Sequence, residues 1–329
     1  MRHPLPSRLS AALAAAAAVA TLAAPALAQT AAWPTKPVKV LVGSPPGGPS
    51  DLTARSFAEQ LGKRTSQPVV VENRPGAGNN LAAGLAAKAE PDGHTLVLSP
   101  DTVLTVNPLV YRNTGFDART DLTSVSVLAS FTQMLVCNPA TGVGTVAELA
   151  GKAKAGPLTY ASGGPGVPGH LAAEMFVQAA GIRMQHVPYR GPAPATLGVL
   201  AGEVNCGFLA TPTVIQHVKA DKLKALAVSS ATPSPLAPDV PTLAKALNQP
   251  ELDASFRLVL QTPSGTPPAV VAEIERAAME IMKDPQVRAR LQQSDVVAQG
   301  SSASEAQKVM KAEMARWAPV VNRLGLKSD

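Results

Sequence analysis

Lys39–Gly62 reads KVLVGSPPGGPSDLTARSFAEQLG, a strand, a glycine loop and a helix in that order. Val38–Val42 is a short apolar run of the kind that forms a buried strand. Gly43–Ser50 is built of Gly, Pro and Ser. Beyond it Ala54, Phe57, Ala58 and Leu61 recur at i, i+3, i+4 and i+7, the stripe of an amphipathic helix. Ser50 has the chemistry of an N-cap, and Asp51 suits a first turn. A loop so placed presents free backbone N–H groups and the positive end of a helix to an anion.

A second unit of the same kind lies downstream. Leu158–Ala161 reads as a strand, Ser162–Gly169 as a glycine loop and Leu171–Ala180 as a helix. The loop holds a literal GxGxxG at Gly164, Gly166 and Gly169. Pro165 and Pro168 remove donors a pyrophosphate would need, and Gln185, His186 and Val187 stand where a ribose-binding acid belongs, so a dinucleotide site is not expected.

Between and around these units the chain alternates. Pro68–Glu72 and Thr95–Ser99 read as strands separated by a glycine turn and a helix over Leu81–Ala89, which makes βαβαβ with a parallel sheet. After a looser segment, Pro100–Asp121, the pattern restarts with a second α/β set of similar size. Three helical runs close the chain: Val270–Lys283, Pro285–Gln293 and Glu305–Leu324. The Met310, Met314, Trp317, Val321 stripe of the last is expected to pack into a core. The closing helices need a sheet, and the first one is the simplest choice. That makes the first domain discontinuous, with crossings near Ser130–Pro139 and Ser229–Thr242.

The N-terminus carries Arg2, His3 and Arg8, then a nearly unbroken Ala/Leu/Val run to Leu22, then Ala26-Leu27-Ala28. This is an export signal cleaved before Gln29; its apolar core is short of the ~20 residues of a spanning helix. A mature chain of roughly 300 residues fits two domains. Without Arg2 and Arg8 it keeps 27 basic residues against 23 acidic, which mildly favours an anionic ligand. No basic run with interleaved aromatics points to nucleic acid. Cys137 and Cys206 lie in apolar, strand-like runs; an exported chain permits a disulfide, buried free thiols are the commoner outcome, and spacing does not decide. There is no CxxC, HxxxH or HExxH, no Walker lysine and no GxSxG elbow, so neither a metal nor another cofactor is expected. His94, His170, His186 and His217 have no acid partner by spacing. Arg74 and Arg190 sit beside glycine turns, where Arg is a natural carboxylate clamp.

Several stretches taken together carry a family likeness. They are Trp33-Pro34-Thr35-Lys36-Pro37-Val38, the PPGG loop with Asp51, Val69–Gly78 (VVVENRPGAG), and Pro91-Asp92-Gly93-His94-Thr95-Leu96. Further on stand Asn107-Pro108, Tyr160-Ala161-Ser162, His170-Leu171-Ala172, His186–Gly191 (HVPYRG), Pro238–Thr242 (PDVPT) and Gly265-Thr266-Pro267. In this order the chain resembles the substrate-binding proteins of tripartite tricarboxylate transporters, the Bug or TctC-like receptors, from Trp33 to about Leu324.

The resemblance implies an α/β, two-lobed periplasmic-binding-protein-like fold, a Venus flytrap, each lobe a doubly wound sheet flanked by helices. Residues 1–28 would be the signal peptide, 29–130 plus 240–329 the first lobe, and 131–239 the second. The function implied is capture of a small carboxylate and delivery to a tripartite-tricarboxylate-type membrane permease, by a monomer without catalysis. The expected ligand-binding residues are Ser44, Gly47, Gly48, Ser50 and Asp51 of the first loop, and Ser99 and Asp101 at the end of the third strand. Ser162, Gly163, Gly164, Gly166 and Val167 of the second loop join them, with Tyr189 and Thr211. The hydroxyls could serve a ligand or their own loops, and Asp51 is expected to cap its helix. The sequence departs from the family where Ser44 replaces a frequent Phe, Val167 a common Ser and Gly198 a common Asp. A secreted α/β enzyme is the alternative; it would need an acid–base or nucleophile pair in the cleft.

Overall fold

The computed structural model describes residues 33–328; the expected signal peptide lies outside the described residues. The chain opens with β1 (Val38–Val42), α1 (Pro49–Thr65), β2 (Val69–Asn73), α2 (Asn80–Ala87) and β3 (Thr95–Pro100). Two short helices, α3 (Thr102–Thr105) and α4 (Asn107–Val110), fill the segment expected to be loose and lead to β4 (Leu122–Phe131). Then come β5 (Gln133–Cys137), α5 (Val146–Ala155), β6 (Thr159–Ser162), α6 (Pro168–Ala179), β7 (Gln185–Pro188) and α7 (Pro192–Leu200). After β8 (Cys206–Ala210), α8 (Thr211–Lys219), β9 (Lys224–Val228) and α9 (Leu243–Leu247), the chain returns as β10 (Phe256–Pro263). It ends with α10 (Pro268–Lys283), α11 (Pro285–Gln292), β11 (Val296–Ala298) and α12 (Ala303–Leu324).

The strands form two sheets, ordered β11-β4-β10-β3-β1-β2 and β7-β6-β8-β5-β9. Both are mixed rather than wholly parallel. β1 pairs in parallel with β2 and β3, and β6 with β7 and β8. β10 is antiparallel to β3 and β4, and β5 to β8 and β9. The reason lies in the crossings. Parallel strands of both lobes end at the cleft between them. A chain that passes from β4 straight into β5 must run away from the cleft in the second lobe, and β10 repeats this on return. β11, which was not expected, adds three antiparallel residues on β4.

Each sheet buries both faces. Val38, Val40 and Val42 share a core with Phe57 and Leu61 of α1, whereas Leu41 faces Ala82, Ala83 and Ala86 of α2. The closing helices pack on the six-stranded sheet. Met310, Trp317 and Val321 of the stripe are buried, Met314 is only half-buried, and Trp317 stacks on Phe256 with centroids 5.5 Å apart. Cys137 and Cys206 are register partners on β5 and β8 and form a disulfide. This resolves the alternatives left by spacing, since only the pairing of two strands 69 residues apart brings the thiols together. Among the described residues no helix is long and apolar enough to cross a membrane.

Candidate functional site: a cleft between two glycine loops

A cavity of about 340 Å³ lies where the parallel strands of the two lobes end. The loops after β1 and β2 form one wall, and the loops after β6 and β7 the other. The walls touch: a methyl on Gly191 would collide with Pro45, and one on Gly48 would lie 3.4 Å from Pro192 Cγ. Tyr111, on the first lobe, donates its hydroxyl to Pro165 O at 2.9 Å.

In the first loop Ser44 and Ser50 line the cleft. The side-chain oxygen of Ser44 is buried and has no hydrogen-bond partner. Helix α1 starts two residues earlier than a Ser50 cap would place it: Pro49 holds the first position and Gly48 is the N-cap. Proline suits that position because its φ is already helical and it has no N–H to leave unpaired. Ser50 therefore sits inside the first turn, not at the cap. Asp51 reaches back to accept the Gly47 N–H at 3.0 Å, and its oxygens also accept from Arg55 and Asn73. Burial pushes this carboxyl up, but those hydrogen bonds outweigh it and hold Asp51 below the usual carboxylate range. Asp51 thus serves its own loop and is spent as a charge. Gly47 (φ +88°) and Gly48 shape the turn and do not line the cavity.

In the second loop Gly163, Gly164 and Val167 line the cleft, whereas Ser162 and Gly166 stand behind it. Ser162 is fully buried; its Oγ lies 2.6 Å from His186 Nε2 and accepts the Gly164 N–H. Gly166 donates its N–H to His170 Nδ1 at 3.1 Å. The two imidazoles stack 4.2 Å apart, with Tyr160 against His186, and the Tyr160 hydroxyl donates to the Glu174 carboxylate. Burial, then the neighbouring His186, push His170 down to about 3, and burial pushes His186 down to about 4. Neutral rings are what the loop requires, since each presents a lone pair or a single donor to it. Buried Ser162 and half-buried His186 brace the loop, and neither lines the cavity.

The other expected residues separate. Tyr189 lines the cleft with its ring, but its hydroxyl turns away to Glu203 Oε2 at 3.3 Å, into space that the absence of a side chain at Gly198 leaves open. Ser99 is buried against Gln261 Oε1. Asp101 is buried behind Pro100; burial, then Glu313, raise it to about 7. Thr211 is buried just past the lining residue Ala210, beside Asp295.

Other lining residues were not foreseen. Phe131, Gln133 and Phe208 form the end nearest the crossings, and Gly76–Asn79 extend the first wall. Phe131 and Phe208 look like core in a sequence and Gln133 carries no loop signal; Gly76–Asn79 could have been found, since they follow a strand as the other loops do. Among the described residues Arg190 is the only side chain of the lining that carries a full charge, and no Asp or Glu lines the cavity. Helices α1, α2, α6, α7 and α8 all begin at its edge, the last at the lining residue Ala210. Among the described residues no cluster of His, Cys, Asp and Glu could hold a metal.

Residues 53–326 match the tripartite tricarboxylate transporter family receptor (TctC). BugT of Bordetella pertussis is 32% identical over 313 residues, which cover 94% of this chain and 95% of BugT. Among solved structures, R. palustris Rpa4515 with adipate superposes with a TM-score of 0.86 at 30% identity, covering 90% of this chain and all of that one. MatC from Rhodopseudomonas palustris with bound malate gives 0.79 at 26% identity, over 88% of this chain and all of that one. Two mixed sheets meeting at one cleft, and a match over most of the length, have one reading: the chain belongs to the tripartite tricarboxylate transporter receptor family (TctC/Bug), whose members are solute-binding proteins and not enzymes.

Proposed function

We propose that this chain is a periplasmic receptor that closes its two lobes on a small carboxylate and delivers it to the membrane permease of a tripartite tricarboxylate transporter. The carrying observation is the charge pattern of the cavity. Among the described residues its lining contains Arg190 and the starts of five helices, and no carboxylate. Each helix start favours an anion by ~0.3–1 kcal/mol when exposed and by more when partly buried. The unpartnered Ser44 hydroxyl supplies a donor that no protein group uses. Ser44, Ser50, Gly163, Gly164, Val167 and Tyr189 are the expected residues that would meet the ligand.

Export would remove residues 1–28. The hinge is placed at the two crossings, Phe131–Gln133 and the stretch between β9 and β10, so that residues 33–131 and 256–328 move as one lobe. A thermal-shift screen of mono- and dicarboxylates against the refolded mature chain tests the reading. A binder raises the melting temperature in proportion to the logarithm of its concentration. A panel in which no carboxylate does so, while neutral solutes do, contradicts it.

A further inference from the structure

The two ends of the cleft differ in chemistry. In the second sheet the order β7-β6-β8-β5 places Arg190, just after β7, three strand spacings from Gln133, at the start of β5. That is roughly 14 Å. The loop end holds Arg190, the Ser44 hydroxyl and the starts of α1 and α7. The crossing end holds Phe131, Phe208 and Pro100, with the neutral amide of Gln133 as its polar side chain and the start of α8 at Ala210.

Behind the crossing end stand buried acids whose neighbouring cation, Arg257, is held by Glu313 and does not reach the lining. Asp101 follows Pro100 and is wholly buried, with neither oxygen hydrogen-bonded. Its nearest cation, Arg257, is 4.0 Å away, is held at 2.7 Å by Glu313, and does not line the cavity. Asp295 precedes Val296, the register partner of Phe131, and is buried beside Thr211. Burial raises both carboxyls, so an anion brought to this end would oppose their ionisation further. A carboxylate there would lose its water with no cationic side chain among the described lining residues of that end to replace it.

We infer that the ligand is a monocarboxylate with an apolar body, its carboxylate at the glycine-loop end and its hydrocarbon chain or ring against Phe131 and Phe208. This rests on the carboxylate-receptor reading and narrows it. A dicarboxylate long enough to reach the crossing end would be disfavoured.

Hexanoate and adipate are a matched pair: six carbons each, differing only by the second carboxylate. Titration calorimetry of the mature protein with both, and with phenylacetate, decides. Hexanoate and phenylacetate are expected to bind about tenfold or more tightly than adipate. Adipate binding as tightly as hexanoate, or more so, overturns the inference and leaves the carboxylate reading intact. If none of the three binds, and no other carboxylate does, both fail together. Gln133→Lys places a cation at the crossing end and is expected to shift the adipate-to-hexanoate ratio about tenfold toward adipate; an unchanged ratio in the folded variant also counts against the inference.

Discussion

Tyr111 and Pro165 belong to different lobes, and the Tyr111 hydroxyl donates to the Pro165 carbonyl at 2.9 Å beside the cavity. Burial raises the Tyr111 phenol to about 12, so it remains a donor throughout the physiological range. The bond exists only while the lobes are together. Under the proposed closure of the lobes on a ligand, this bond acts as a latch on the closed form. Tyr111→Phe is expected to weaken ligand binding about three- to tenfold, the worth of one hydrogen bond, with little change in unfolding of the unliganded protein. Calorimetry against denaturation separates the two. Unaltered affinity would show that the bond has no part in closure.

Ser44 tests the binding wall from the other side. Its oxygen is buried and unpartnered without a ligand, so Ser44→Ala removes a desolvated group that the fold does not use. The variant is expected to be as stable as the parent or slightly more so, and to lose about 1 kcal/mol or more of carboxylate binding. Loss of stability with binding intact would place Ser44 in the fold and not in the site.

The disulfide joins β5 to β8 at the ends of these strands farthest from the cleft, with 69 residues between the cysteines. Cys137→Ser with Cys206→Ser is expected to cost about 2–4 kcal/mol in urea unfolding. Because Gln133 and Ala210 lie at the opposite ends of the same two strands, the ligand-induced rise in melting temperature should survive in the variant. Equal stability of both proteins would contradict the structural role.

Acid sensitivity follows from the two histidines. Unfolded, each takes up a proton near pH 6.5; folded, His170 does so only at about 3 and His186 at about 4. Their contribution to stability is present above pH 6.5 and is lost as pH falls toward 4. Asp101 works in the opposite sense. Folded, it keeps its proton up to about 7, so it favours the folded state as pH drops, and Asp295 is shifted the same way. His170→Asn, whose side-chain oxygen replaces Nδ1 as acceptor for Gly166, should flatten the acid loss by about 1.4 kcal/mol per pH unit. Asp101→Asn should steepen it by the same amount. Urea unfolding at pH 4.5, 5.5 and 6.5 reads both; profiles parallel to the parent would refute the assignment.

Much of the architecture was legible because the βα units announce themselves locally. Apolar runs such as Val38–Val42, followed by Gly/Pro loops and a helical stripe, need no distant partner to be recognised. What was hidden depends on pairing across the chain. The antiparallel halves of both sheets follow from where the chain crosses between lobes, which no window of sequence contains. Val296–Ala298 is too short to stand out. Phe131 and Phe208 lie in apolar strands as core residues do, Gln133 carries no loop signal, and only the pairing of β5 with β8 beside the crossing brings the three to the cavity. Ser162 looked like a ligand donor because its partner, His186, is 24 residues away on the neighbouring strand.

The central claim is that one carboxylate is held between the two glycine loops in the cleft. A crystal structure of the mature protein with the tightest-binding carboxylate from the titrations tests it most directly. The account predicts the carboxylate within hydrogen-bond distance of Ser44 Oγ and of main-chain amides in the loops that follow β1 and β6, with both lobes in contact. A carboxylate seated on the outer face of one lobe, or in the cleft with neither loop touching it, would contradict the account.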